Sequence, residues 1–246
     1  MTGPIGHGKT SFSDALAELE PSNCHFETNQ PIIEVANALH AALSTIPDPY
    51  DANALNVWLQ ALPAILLEAT GTKCTFEQLQ LEQDMIAMHP IDYQKLILHV
   101  ENLQRNPDMA KQPINKINKD NYRPFLQWLG GYLVQKVDPG IWVNDIIRRV
   151  KEAAREGCQL CIIGGLRFPT DASLLRDEGA KIVKVYRPGH LQNDMLDPTE
   201  RERDNILVDA TIMSNGSIEE LKRCAAKFLE DLKSDSLQKL YQSKKA

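Results

Sequence analysis

The stretch GPIGHGKT at residues 3–10 is the feature that most restricts how this 246-residue chain can fold. It fits the pattern G-x-x-x-x-G-K-[ST], in which backbone N–H groups surround a phosphate and a helix begins close to the lysine. Apolar residues recur at helical spacing directly after it, which predicts a helix over residues 9–20. Such a loop normally follows a strand of a parallel sheet, so the motif predicts an α/β fold.

Alternating strand and helix patterns support this fold class. The runs NCHFE, CQLCIIGG, AKIVKVYR and VDATIMS are typical of strands, and helical patterns lie between them. This alternation predicts a parallel sheet with helices on both faces and with ligands at the carboxyl ends of the strands. Residues 44–140 differ, because they combine several prolines and short pieces of helical periodicity with no convincing strand. We therefore predict a P-loop NTPase-type core from residues 1–43 and 141–233, a helical insertion on the substrate side over 44–140, and a polar tail over 234–246.

The strand that should precede the loop is the difficulty in this interpretation. Only Met1 and Thr2 come before Gly3, which is too few residues for a central strand. We predict that the first strand is missing, and three explanations stay open: the chain is truncated, its start is misassigned, or another segment fills the gap. An open gap would leave strand edges unpaired and would lower stability. A longer chain that restores the strand should therefore melt at a higher temperature.

Charge and composition exclude several classes of partner. The net charge of −6 and the pI near 5.6 argue against binding to a nucleic acid polymer. The N-terminus lacks the apolar centre of a secretory signal, and the longest apolar stretches are too short to cross a bilayer. Five scattered cysteines indicate reduced thiols, and the C-x-x-C of Cys158 and Cys161 has no second pair with which to bind zinc. We expect a cytoplasmic protein with no membrane partner. A homodimer is possible on this sequence.

The residues of the loop each suit a part of a nucleoside triphosphate. Glycines let backbone N–H groups approach phosphate closely. Lys9 can reach the β- and γ-phosphates, Thr10 offers a hydroxyl to Mg²⁺, and Ser11 is a candidate for the α-phosphate. We interpret the His7 side chain as one that the loop merely tolerates, pointing away from phosphate. The predicted ATP-binding residues are Gly3, Gly6, His7, Gly8, Lys9, Thr10 and Ser11.

Three classes of nucleotide-binding protein contain a loop of this kind. A GTPase needs N-K-x-D to read guanine, and the chain offers only NKIN and NKDN. A motor ATPase needs a strand that ends in an acid, whereas CIIGG ends in glycines. A small-molecule kinase tolerates a weaker second motif, and an acid near the second strand then supports the metal. Glu27 at the end of NCHFE is the candidate for that acid, although a solvated strand end would have the same sequence.

Three further segments carry a family resemblance. They are NYRPFLQWLGGYLVQKVDPGIWVN, IIGGLRFPTDASLLRDEGAKIVKVYRPG and VDATIMSNGSIEEL. Together with the loop they resemble the phage-type deoxynucleoside monophosphate kinases, relatives of dephospho-coenzyme A kinase within the nucleoside monophosphate kinase superfamily. The resemblance covers residues 1–43 and about 121–232. It implies a P-loop fold, ATP and Mg²⁺ as cofactors, and a nucleoside monophosphate as the small-molecule substrate.

The resemblance also suggests functional arginines. The R-F that helps to shape the monophosphate site is matched by Arg167, and the R-P that ends the next strand is matched by Arg187. Arginine suits this task because its planar fork binds phosphate through two hydrogen bonds. Arg201 and Arg203 follow a polar stretch that we interpret as a lid over the γ-phosphate. A surface ion pair is the alternative explanation for each of the four.

The chain also departs from the family pattern. The acid that usually precedes x-R-F is Gly165 here, the usual glutamate after R-F is Asp171, and the usual histidine before the last strand is absent. Our main hypothesis is an ATP-dependent kinase of a (deoxy)nucleoside monophosphate. The alternatives are a kinase of another small molecule, such as dephospho-coenzyme A, and a nucleotide-binding protein without catalysis. Gly165 is the residue that favours this last alternative.

Overall fold

The computed structural model describes residues 1–4, 6–82, 90–190 and 202–242. The chain forms two compact units: residues 1–28 with 146–246, here called the sheet unit, and residues 29–145, here called the helical unit. These two units are defined by their internal packing alone. The domain limits that the sequence suggested for the P-loop core and the helical insertion therefore stay a prediction.

Within its described residues, the sheet unit contains five short strands and several helices. Its helices are α1 (Lys9–Leu19), the second part of α9 (Ile141–Arg155), α10 (Pro169–Asp177) and α11 (Ile218–Lys233). Its strands are β1 (Asn23–Glu27), β2 (Leu160–Gly164), β3 (Val183–Tyr186), β4 (Ala210–Met213) and β5 (Leu240–Gln242). β1 pairs with β2, and β4 pairs with both β3 and β5, in each case in parallel. The chain therefore has the α/β class that the sequence predicted, with short parallel sheets.

Met1 and Thr2 lie between β2 and β3. The Thr2 N–H donates to Val183 O at 2.9 Å, and Val185 N–H donates to Thr2 O at 3.0 Å. On the other side, the Met1 ammonium donates to Ile163 O, and Leu166 N–H donates to Met1 O at 3.2 Å. Two residues are too few to form an assigned strand, yet their backbone groups are bonded to both neighbouring strands.

The core of the sheet unit explains why its helices form where they do. Phe12 of α1 and Phe228 of α11 are buried with ring centroids 5.6 Å apart, and they pack with Ile212 and Val185 of the sheet. Helix α11 begins with a capping box, in which Ser217 Oγ accepts from Glu220 N–H and the Glu220 carboxylate accepts from Ser217 N–H.

One part of the predicted tail is ordered. We expected residues 234–246 to be a polar tail, but β5 lies within them and extends the sheet next to β4. Tyr241 is the reason, because its side chain is 4% exposed and packs on Phe228 with ring centroids 5.4 Å apart. A single buried aromatic residue among polar neighbours was too weak a pattern to predict a strand.

The helical unit is built around one apolar core. Its helices are α2 (Gln30–Leu43), α3 (Ala52–Leu59), α4 (Leu62–Thr70), α5 (Phe76–Leu79), α6 (Pro90–Arg105), α7 (Pro107–Ala110), a 3₁₀ turn (Lys119–Tyr122), α8 (Arg123–Lys136) and the first part of α9. Phe125, Trp128 and Tyr132 follow one face of α8, and their rings stack in sequence. Among the described residues, no helix is both long enough and apolar enough to cross a membrane.

Candidate active site

The glycines of the N-terminal loop have conformations that other residues rarely adopt. Gly3, Gly6 and Gly8 have φ angles of 134°, 77° and 89°. A Cβ at Gly3 would overlap Val185 O, so only glycine lets the loop approach β3 this closely. Gly8 is the N-cap of α1, and no side chain among the described residues caps the helix start there. The free N–H groups of that first turn and the helix dipole favour an anion at this point.

Lys9 lies at the centre of the loop. Its ammonium donates to Gly3 O and to Pro4 O, each at 2.7 Å. Burial and, to a smaller extent, the charges of Arg203 and Arg167 together lower the pKa of Lys9 to about 8, and the charge of Glu27 opposes this shift. The sequence-predicted Lys9, Arg167, Arg203 and Glu27 are therefore brought together in the sheet unit.

The two arginines reach Lys9 from different parts of the chain. Arg167 is half-buried in the segment that follows β2, close to the carboxyl end of that strand. Arg203 is only 4% exposed, and Asp204 Oδ1 lies 3.7 Å from its guanidinium. Three cations so close to one another repel, and an anion bound among them would relieve that repulsion. The arrangement can therefore bind a polyanion.

Glu27 provides the negative charge of this site. Its carboxylate lies over bare backbone at the end of β2, where a Cβ on Gly164 would overlap Oε1 and a Cβ on Gly165 would lie 3.0 Å from Oε2. His25 Nε2 is 3.3 Å from Glu27 Oε1 on the other side. Carboxylate oxygen is a ligand that Mg²⁺ prefers, so Glu27 is able to hold a metal ion.

The remaining predicted residues have more varied positions. Thr10 is exposed in the first turn of α1, and Ser11 next to it is half-buried. Arg187 is exposed just after β3, and Arg201 lies outside the described residues. His7 is 2% exposed, so its side chain is packed into the protein rather than merely tolerated by the loop.

Comparison with known proteins identifies the family. A family model described as deoxynucleotide monophosphate kinase matches residues 53–224, which is more than half of the chain. The chain belongs to the deoxynucleotide monophosphate kinase family. This assignment supports kinase activity on nucleotides. The matched range includes Arg167, Arg187 and Arg203, and it begins after the glycine loop and Glu27.

A viral protein is also similar to part of this chain. The uncharacterized protein ORF77 of Ictalurid herpesvirus 1 (strain Auburn) is 33% identical over 93 residues, which is 38% of this chain. The chain spans about 39% of the length of that relative.

The structure gives a physical account of one departure from the family pattern. The chain has glycine at 165, where we expected the family to have an acid, and the Glu27 carboxylate occupies the space that a side chain there would enter. A second departure, Asp171, lies in the first turn of α10, and burial raises its pKa to about 6. The third, the missing histidine, falls outside the described residues.

Ser214 and His190 were missed by the sequence reasoning. Ser214 Oγ lies 2.7 Å from the position of a Cβ on Gly8, and His190 Nε2 lies 2.7 Å from that of a Cβ on Gly6. Both residues therefore flank the loop. Ser214 directly follows β4, so the rule that ligands lie at the carboxyl ends of parallel strands could have indicated it. No comparable sequence pattern pointed to His190.

Proposed function

We propose that this protein is an ATP-dependent, Mg²⁺-requiring kinase that transfers the γ-phosphate to a deoxynucleoside monophosphate. The observation that carries the proposal is the meeting of Lys9, Arg167 and Arg203 beside a glycine loop that begins a helix. Phosphoryl transfer needs little covalent chemistry from the protein, because catalysis rests on alignment and on neutralising charge. The glycine loop, these three cations and the Glu27 carboxylate supply the groups for both tasks.

The loop and α1 would hold the donor. The N–H groups of the helix start would bind phosphate oxygens, and Lys9 would neutralise the β- and γ-phosphates. Thr10 and Glu27 would hold Mg²⁺, with Ser11 as a further contact to the α-phosphate. The metal ion would neutralise charge that develops between the β- and γ-phosphates.

The arginines would bind the acceptor and the group in transfer. An oxygen of the acceptor monophosphate attacks the γ-phosphorus, the bond to the β–γ bridging oxygen breaks, and ADP leaves. The acceptor phosphate is largely ionised at neutral pH, so this attack needs no general base. Arg167 and Arg187 would orient the acceptor phosphate, and Arg201 and Arg203 would neutralise charge on the γ-phosphate.

The test is ADP release from ATP and Mg²⁺ against a panel of ribo- and deoxyribonucleoside monophosphates and dephospho-coenzyme A. We expect release with at least one deoxynucleoside monophosphate. Lys9→Ala should lower kcat/KM by a factor on the order of 10³, since it removes the cation closest to the transferred group. The exposed Lys116 gives a matched control, and Lys116→Ala should leave the rate unchanged.

Three results would contradict this proposal. Tight ATP binding without ADP release for any acceptor would indicate a binding protein rather than an enzyme. Release of ADP with dephospho-coenzyme A alone would show that the acceptor is not a deoxynucleoside monophosphate. A rate that is insensitive to Lys9→Ala would remove the glycine loop from the mechanism.

A further inference from the structure

His7 is a buried side chain of the loop with one specific hydrogen bond. Its Nδ1 accepts from the backbone N–H of Arg187 at 2.9 Å, and this bond joins the loop to the segment directly after β3. A nitrogen that accepts carries no proton, so the imidazole is neutral with its proton on Nε2. Among the described residues, Nε2 is buried without a hydrogen-bond partner.

The surroundings of His7 oppose a positive charge. Its ring contacts the rings of Tyr186 and His190, each with centroids 5.3 Å apart. Within the described part of the chain, the charged and titratable groups that face it are His190 after β3, Lys184 in β3, Lys9 in α1 and Arg203. Burial lowers the pKa of His7 most, and these four groups lower it further. A protonated His7 would therefore lose its bond to Arg187 N–H and would add a cation to a cationic cluster.

We propose that neutral His7 is a positioning residue that holds the glycine loop against the end of β3, and that its protonation releases the loop and weakens triphosphate binding. The effect on triphosphate binding rests on the proposed function. The hydrogen bond between His7 and the Arg187 N–H is independent of it. His7 acts through the backbone of the loop rather than through contact with substrate. The affinity of the enzyme for the triphosphate donor would then fall at acidic pH because His7 becomes protonated, in addition to any effect of protonating the nucleotide itself.

The test compares two substitutions of similar size. Asparagine can place its Oδ1 close to the position of Nδ1 and cannot be protonated, whereas leucine fills the space and leaves the Arg187 N–H without its acceptor. The affinity for a non-hydrolysable ATP analogue with Mg²⁺ is measured by calorimetry at pH 7.5 and at pH 5.5. We expect His7→Leu to bind about tenfold more weakly than wild type at pH 7.5, in line with an unpaired buried donor, and His7→Asn to stay within about threefold.

The pH dependence separates positioning from simple packing. The analogue itself titrates in this range, and comparison with His7→Asn removes that contribution. We expect wild type to lose more affinity than His7→Asn between pH 7.5 and pH 5.5. His190→Asn is the control for the neighbouring ring, and it should keep the acid-side loss of the wild type. Equal losses in wild type and His7→Asn, or wild-type affinity in His7→Leu, would overturn the proposal.

A second measurement is independent of nucleotide binding. In ¹⁵N-labelled wild type, the ring nitrogens of His7 should show a bare Nδ1 and a protonated Nε2 at pH 7.5. On acidification the amide signals of Gly6 and Gly8 should shift together with the imidazole. A protonated Nδ1 at pH 7.5, or amide signals of Gly6 and Gly8 that do not shift as His7 is protonated, would contradict the positioning role even if kinase activity were found. If wild type bound no nucleotide, the proposed function would fail, and these signals would still decide whether His7 holds the loop.

Discussion

The carboxylate of Glu27 depends on the absence of a side chain at Gly164. A Cβ there would overlap Oε1 and would lie 2.8 Å from Cδ of the carboxylate. The carboxylate ends a flexible side chain, so it can move aside at little cost to the fold. Gly164 therefore determines the position of the Glu27 carboxylate and has little effect on the stability of the protein.

We predict that Gly164→Ala changes the metal requirement more than the stability. The displaced Glu27 should raise the Mg²⁺ concentration for half-maximal kinase activity by about tenfold, a loss comparable to that of a supporting metal-site residue. The free energy of unfolding should change by about 1 kcal/mol or less. Gly131→Ala in α8 is the control, because a Cβ there meets nothing within 4 Å, and its Mg²⁺ requirement should equal that of the wild type. An unaltered Mg²⁺ requirement in Gly164→Ala would exclude Glu27 from the metal site.

At the scale of the elements, one phenol connects β5 to α11. Tyr241 Oη donates to Asp231 Oδ2 at 3.0 Å and accepts from Gln238 N–H at 2.9 Å. Asp231 also pairs with Lys227 of the same helix at 2.7 Å. These bonds lie in a region where Tyr241 and Asp231 are both buried, so each loses water on folding.

We predict that Tyr241→Phe destabilises the sheet unit by about 1–2 kcal/mol. The change keeps the ring but leaves Gln238 N–H and Asp231 without one partner each. Denaturant unfolding should show the loss. The exposed Tyr50 is the control, since its hydroxyl lies 3.4 Å from Glu101 at the surface, and Tyr50→Phe should cost less than about 0.5 kcal/mol. Equal stability of Tyr241→Phe and wild type would show that the hydrogen bonds of the Tyr241 hydroxyl add nothing to stability.

Local patterns were sufficient for most of the elements and insufficient for the contacts between them. The apolar faces of α1, α2 and α11 and the apolar runs of β1 to β4 are encoded in consecutive residues. In contrast, the fit of Glu27 over Gly164 and the bond from Arg187 N–H to His7 join residues that are far apart in the chain. Periodicity carries no information about such pairs. The loop could therefore be predicted from the sequence, whereas the residues that hold it in place could not.

At the scale of the whole molecule, two buried histidines make stability depend on pH. His40 and His99 are 3% and 1% exposed in the helical unit, and among the described residues His40 Nδ1 and His99 Nε2 have no hydrogen-bond partner. Burial and the nearby His40 lower the pKa of His99 to about 4, and burial lowers the pKa of His40. Both rings are therefore neutral in the folded protein at neutral pH.

We predict that the free energy of unfolding falls as pH drops from about 6.5 toward 4. In this window the unfolded chain binds a proton at His99 that the folded chain does not, so acid favours unfolding, by up to about 3 kcal/mol for this residue. Urea unfolding at pH 7.5, 6 and 5 measures the slope. His99→Phe keeps a flat ring on Phe125 and should reduce the slope, whereas the exposed His190→Phe should not. A slope unaffected by His99→Phe would assign the acid sensitivity to other groups.

The pairing of β1 with β2 has a consequence for how the chain folds. Thr28 Oγ1 donates to Gly165 O just beyond these strands, across 137 positions of sequence, and the whole helical unit lies between the two residues. Parallel strands cannot form a local hairpin, so this half of the sheet requires the closure of a very long loop. The contacts of the helical unit span shorter separations, and we expect them to form earlier. Kinase activity should therefore return in the last phase of refolding, after most of the helical signal has recovered.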